Sequence, residues 1–444
     1  MPAMPRPKWH RTGFPAARSP SGLAHPAHAH PVHLRPPPLR TADGHYRDER
    51  QASWLELFFD LVFAGAVGQL AGALQDHPTL GMLGRFVLVF TPIWWLWVQL
   101  SFYADRHESS DAAHRGAFLT AMLLCVGLAA SAPRALAGNT TGFVIAFVLL
   151  RALQLVLYAR ARHHLPATRQ LYGWYLVFFS AGGAVWLASL AVATPWRYAF
   201  WVVGLLIDAA GALAMVVPRR RVPLNTAHLA DRFRLFMLIV LGESVARLIA
   251  AAAARPWSVP LAAVLAAALI TLAGLWAAWL SAAGRDGLDG MATTARFTAA
   301  NLPIVAGVAA ASAGLHLAIL AADGATTIAA GPRAALYGGV SVCLLGTALL
   351  PGKMTCWRRA ARLATALAAM GLVFMGAIVL PVYLVPALAV ILALGLAAET
   401  HPRRWPAITR LLCALLHGFG RSGAMIQVRP AASADRRSRN ASGR

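Results

Sequence analysis

Glu56 and Asp60 are the first residues of this chain whose type and spacing could do chemistry. They lie four apart, at the mouth of a stretch that runs uncharged from Leu61 to Gln75. On a helix, residues four apart share a face one turn from each other, with Asp60 the deeper of the two. A carboxylate buried in hydrocarbon is costly unless it is protonated, paired or facing water, which makes Asp60 a functional-site candidate. Glu56 fits two roles. Ser53, three residues ahead, completes a capping-box pattern, and a carboxylate in the first turn suits the positive end of the helix dipole. With both acids in low-dielectric surroundings, the pair is instead one that shares a proton or binds a cation.

A second constellation lies in another apolar run, where Glu243 follows Gly242 a dozen residues after Asp231 and Arg247 stands four residues further on, within pairing reach on one helical face. The pair is read either as a neutralised strut or as a site where Glu243 binds a coupling ion and Arg247 tunes it or holds an anionic substrate. Asp208, a lone acid in an apolar run, is a third candidate. His316 reads as a hydrogen-bonded packing residue. The histidines of the N-terminal tail read as a solvated low-complexity run, and no metal spacing or cofactor motif is present, so neither is expected. No nucleophile–base string or HExxH occurs, so the chain is not expected to be an enzyme.

The elements that must position these residues are membrane helices. Of the 444 residues 58% are hydrophobic and only 13% charged, with a mean hydropathy of +0.58, the composition of an all-α polytopic membrane protein. The formal charge of +23 does not point to nucleic acid, because the arginines sit in short loops and two tails rather than on one basic face. Apolar runs fall near 54–75, 82–104, 114–132, 140–159, 171–193, 196–217, 231–253, 257–280, 299–321, 332–351, 361–379 and 382–398, each close to the roughly twenty residues a spanning helix needs. About twelve transmembrane helices over 51–400 are therefore expected, between a disordered basic tail at 1–50 and a second tail at 401–444. In that second tail, 405–419 reads as a short interfacial amphipathic segment.

Basic residues choose the orientation. After even-numbered runs stand Arg106 and Arg115; Arg160, Arg162 and Arg169; Arg219, Arg220, Arg221, Arg232 and Arg234; Arg285 and Arg296; and Lys353, Arg358, Arg359 and Arg362. After odd-numbered runs stand only Arg85, Arg134, Arg197, Arg255 and Arg333. This alternation predicts both termini in the cytoplasm and an even helix count. The halves also echo each other: Leu96-Trp97 leads to Ser101 and Asp105-Arg106, and Leu275-Trp276 leads to Ser281 and Arg285-Asp286. A 6+6 parallel repeat is one arrangement that accounts for this, and interfacial anchoring of Trp and charged residues is another.

Three motifs carry a resemblance: Trp54-Leu-Glu-Leu-Phe-Phe-Asp-Leu-Val-Phe63; Trp94-Trp95-Leu-Trp97 leading to Phe102-Tyr-Ala-Asp-Arg106; and His228-Leu-Ala-Asp-Arg-Phe-Arg-Leu-Phe236 running into Val240-Leu-Gly-Glu-Ser244. Over about 50–320 the chain resembles the bacterial low temperature requirement protein A (LtrA) family. The resemblance implies a multi-spanning inner-membrane protein named for a growth phenotype. Asn225 and Asn301 stand where the family leads one to expect histidine, and Ala282-Ala-Gly-Arg-Asp286 replaces aromatic and acidic residues.

The sequence thus points to a secondary transporter or permease of a small solute or ion that uses intramembrane carboxylates. Asp60, Glu243, Arg247, Glu56 and Asp208 are the ion- or substrate-binding candidates, and Asp105, Arg106, His228 and Arg232 the structural or gating ones. The competing expectation is a non-transporting membrane scaffold or sensor linked to low-temperature or stress growth. Expected partners are the lipid bilayer and a small solute, proton or cation, and no nucleic acid.

Overall fold

The computed structural model describes residues 53–400 apart from 77, 108–111, 215–223, 284–290, 325 and 353. The expected tail at 1–50, the interfacial segment at 405–419 and the loop residues Arg219, Arg220, Arg221, Arg285, Asp286 and Lys353 lie outside the described residues. Regular structure among those described is helical, in twelve rods. These are α1 (Trp54–Asp76), α2 (Leu80–Arg106), α3 (Ala112–Leu136), α4 (Thr141–His164), α5 (Arg169–Ala188), α6 (Trp196–Ala214), α7 (Thr226–Ala253), α8 (Val259–Ala282), α9 (Met291–Leu320), α10, α11 (Cys356–Met375) and α12 (Pro381–Thr400). The rod α10 is continuous but composite, running Ala330–Arg333, a π-helical stretch Ala334–Gly338, and Gly339–Leu349.

Polar side chains mark several starts, as orphan N–H groups at a helix entry require. Thr79 accepts from Met82 N at 3.1 Å, Asn225 from His228 N at 3.1 Å and Ser258 from Leu261 N at 3.1 Å. Among the described residues, nine helices are long and apolar enough to cross a membrane. The other three are α6, the composite α10, and α11 with Arg358, Arg359 and Arg362 in its first two turns. The chain is a multi-pass helical membrane protein. The ninth rod begins well before the apolar run at 299–321, because Thr293, Thr294 and Arg296 carry a helix without being hydrophobic; hydropathy marks the membrane, and helices extend past it.

The packing order repeats along the chain. In the first half α1 packs on α3, α3 on α4, α4 on α5 and α5 on α6; in the second, α7 packs on α9, α9 on α10, α10 on α11 and α11 on α12. The halves meet where α1 lies against α7 and α9. With no hydrophobic drive between helices in lipid, small residues permit the closest contacts. On α9, Gly307 and Gly314 are seven apart, as are Gly339 and Gly346 on α10, and the two sets interleave: a Cβ on Gly339 would stand 2.7 Å from Gly307 O and 2.7 Å from Ala311 N.

Candidate functional site

At the end of the bundle where α1 begins, α1, α2 and α7 bring five titratable side chains together. Ser53 and Glu56 form the capping box that their spacing predicts: Ser53 N donates to Glu56 Oε2 at 2.8 Å, and Glu56 N donates to Ser53 Oγ at 3.3 Å. The cap does not sit out in water, since Glu56 is only 1% exposed. His228, in the first turn of α7, lies between two carboxylates. Its Nδ1 is 2.9 Å from Asp105 Oδ1, at the C-terminal end of α2, and its Nε2 is 3.6 Å from Glu56 Oε2. Asn225 N donates to the other Asp105 oxygen at 2.8 Å. An imidazole with protons on both nitrogens serves both acids; with one proton it serves one.

One turn deeper, Asp60 is fully buried and paired with Arg232, which stands one turn beyond His228 on α7. Arg232 Nη2 donates to Asp60 Oδ1 in a short contact, Nε donates to Oδ2 at 3.4 Å, and Trp97 Nε1 of α2 donates to Oδ1 at 2.8 Å. Aromatic rings close this pair off from water. Trp97 packs on Phe236 at 4.2 Å and Phe233 at 4.9 Å between ring centroids, and the Arg232 guanidinium lies 5.7 Å over Phe59. The planar guanidinium suits such a dry, forked contact better than an ammonium would.

Glu243 does not join this station. It pairs with Arg247 along α7, Nη2 to Oε1 at 2.9 Å, and Arg247 also donates to Gly68 O of α1. Gly68 lies eight residues past Asp60, about 12 Å further along the helix axis, so Glu243 does not come within reach of Asp60. The reason is that a parallel packing of α1 and α7 matches residues at equal depth, and Arg232, not Glu243, shares Asp60's depth. The void by Glu243, Arg247, Ser244 and Ser312 measures about 10 Å3, room for one water and no substrate. Glycine makes the approach possible, since a Cβ on Gly68 would stand 2.7 Å from Glu243 Oε1. Glu243 keeps 41% of its side chain exposed, so a Glu243→Gln, Arg247→Leu double-mutant cycle, read from thermal midpoints in detergent, is expected to give a coupling of about 0.6 kcal/mol, ordinary for membrane polar contacts. His316 Nδ1 lies 3.1 Å from Arg247 O, a packing contact.

Asp208 is not alone either. Arg151 of α4 pairs with it at 2.5 Å, donates to Gln154 Oε1 at 2.7 Å, and stacks 4.6 Å from the Phe179 ring. The sequence signal for this pair is an arginine inside the apolar run 140–159. Arg106 is buried among the tyrosines of α4 and α5 rather than beside His228. A further pair joins the second half: Arg362 of α11 holds Glu399 of α12 through Nε at 2.7 Å and Nη2 at 3.0 Å, and also donates to Ser281 Oγ of α8.

The three motifs that meet at the station, on α1, α2 and α7, are those that carry the resemblance noted above, and a family model described as Bacterial low temperature requirement A protein (LtrA) matches residues 51–398. The chain belongs to the LtrA family. An uncharacterized protein of Rhizobium meliloti (strain 1021) is 28% identical over 207 residues, which is 45% of this chain. The match spans 50% of that curated relative's own length. No solved structure matches. In this LtrA-family chain both unexpected asparagines are structurally engaged. Asn225 caps α7 beside Asp105, and Asn301 accepts from Trp279 Nε1 at 2.9 Å while donating to Phe297 O at 2.8 Å.

Proposed function

We propose that this LtrA-family protein is a secondary transporter of a small solute or ion in the bacterial cytoplasmic membrane, with His228 as its proton-responsive element. The observation that carries the reading is the imidazole held between Glu56 of α1 and Asp105 of α2. It lies where the first helices of the two halves meet, so adding or removing one proton changes which helix α7 grips at its entry. Asp60 and Arg232 form the dry floor of that station, and the repeated packing order supports a 6+6 parallel arrangement in which a site between halves alternates in access. The distribution of basic residues supports placing both termini in the cytoplasm.

Reconstitution into vesicles under an imposed pH gradient tests the reading. With a panel of monovalent cations and small neutral and anionic solutes, wild type should carry at least one at a rate that follows the gradient. His228→Gln, which keeps a hydrogen-bonding side chain but no titratable proton, should lose at least tenfold of that coupled rate while staying monodisperse. Unchanged gradient dependence in His228→Gln, or no flux of any panel member by wild type, would defeat the proposal.

A second reading, a non-transporting scaffold or sensor linked to low-temperature growth, is favoured by one observation. The Arg362–Glu399 pair, with Ser281, ties α8, α11 and α12 together like a static strut. Retained cold growth in the His228→Gln strain alongside lost growth in an Arg362→Leu strain would support it.

A further inference from the structure

Among the described residues, charged side chains deep in the bundle are mostly hidden: Asp60, Arg151, Asp208, Arg232 and Arg362 are each no more than 1% exposed. The Glu243 side chain, paired with Arg247, is 41% exposed. Glu243 stands ten residues before the end of α7, about 15 Å along the axis, and so lies deep within a hydrocarbon layer of about 30 Å. Beside it on α1, Gln69 is also exposed, one residue past the Gly68 that Glu243 packs against. A carboxylate, a guanidinium and an amide at one depth do not face lipid chains without a large cost. Something polar therefore covers this part of the α1–α7 seam.

Two glycines narrow the kind of cover. A Cβ on Gly65, one turn before Gln69, or on Gly242, next to Glu243, would meet nothing within 4 Å, and both positions are exposed. Gly68 and Gly72 differ, since Glu243 and Arg247 occupy the space above them. A glycine inside a helix costs about 1 kcal/mol against alanine, and no neighbour in the described structure requires one at Gly65 or Gly242. In membranes such small positions let a second helix backbone come close, which neither water nor a lipid chain needs. The polar set is also complementary to itself. A glutamine amide offers an N–H to a carboxylate and an oxygen to a guanidinium. Two copies of one chain, inserted alike and related by a two-fold axis along the membrane normal, face each other at equal depth. With α1 of one copy against α7 of the other, Gln69 meets the Glu243–Arg247 pair twice, once in each direction.

We infer that the α1–α7 face carrying Gly65, Gln69, Gly242 and Glu243 binds a second copy of this chain in the membrane, with Gln69 of each copy bridging Glu243 and Arg247 of the other. This contact is separate from the His228 station and does not depend on the transport reading.

The test uses the full chain, labelled with one fluorophore at its C-terminus and reconstituted into phosphatidylethanolamine–phosphatidylglycerol vesicles over a range of protein-to-lipid ratios. Photobleaching steps count the copies that move together. Wild type should pass from monomer to dimer, and to no larger assembly, as its density in the membrane rises. Gln69→Leu, an exposed position where leucine suits lipid, should elute monodisperse in detergent and weaken dimerisation at least tenfold. Gly65→Ile should do the same by holding the backbones apart. Gly127→Ile is the control, because Gly127 on α3 is also exposed with nothing within 4 Å of a Cβ, and it should dimerise like wild type. Monomeric wild type at every density, Gln69→Leu dimerising as wild type does, or Gly127→Ile losing as much as Gly65→Ile would overturn the inference. So would rapid modification of Gln69→Cys by a membrane-impermeant maleimide, above the wild-type background and in densely loaded vesicles, since water would then be the cover.

Discussion

Arg232→Leu is expected to cost the folded protein about 3–5 kcal/mol, because it leaves the buried Asp60 carboxylate without its cation. Asp60 has no exposed surface, and its other donor, Trp97 at 2.8 Å, is neutral and cannot replace a guanidinium. The rings of Phe59, Phe233, Phe236 and Trp97 keep water from doing so either. The Asp60→Asn, Arg232→Leu double variant removes both charges and keeps an amide oxygen for the Trp97 N–H, so it should regain most of the loss. Thermal midpoints and monodisperse yield in mild detergent are the readout. A single Arg232→Leu variant as stable as wild type, or a double variant worse than the single, would show that the pair does not carry the α1–α7 contact. A large single loss with a good recovery would also explain why the coupling at Glu243–Arg247, half exposed and cavity-poor, is expected to be so much smaller.

Two adjacent glycines of α10 should give opposite results. Gly339→Ala is expected to destabilise by about 1–3 kcal/mol through overpacking, since the new methyl meets the backbone at Gly307 O and Ala311 N, both at 2.7 Å, and backbone cannot swing aside as a side chain can. Gly338→Ala meets nothing within 4 Å, and alanine is the better helix former by about 0.5–1 kcal/mol, so this variant should match or exceed wild type. Both lie at the junction of the π-helical stretch with the regular helix, which controls for local backbone effects. Comparing the two melting curves checks the claim. Equal losses at both positions would place the sensitivity in the π stretch itself rather than in the α9–α10 seam.

Composition and hydropathy determined the class of this protein without help from the fold. Hydrocarbon demands about twenty apolar residues per crossing and internal satisfaction of every backbone group, so one-dimensional runs of apolar sequence become helices wherever they occur. The Ser53–Glu56 cap was legible for the same reason: its partners are three residues apart, and local spacing fixes their geometry. Pairing across helices was not legible. Asp60 meets Arg232 across 172 positions, and His228 reaches Asp105 across 123; which residues meet depends on the rotation and depth of each helix against its neighbours, set by contacts such as Gly307 on Gly339 that no periodicity in one strand of sequence encodes. Thus Glu243 packs against Gly68, about 12 Å along α1 from Asp60. The residues named as structural or gating candidates, His228, Arg232 and Asp105, cluster instead with Glu56 and Asp60. The exposure of Glu243 on the α1–α7 seam was also invisible, because which side of a helix stays uncovered is decided only when the whole bundle has packed.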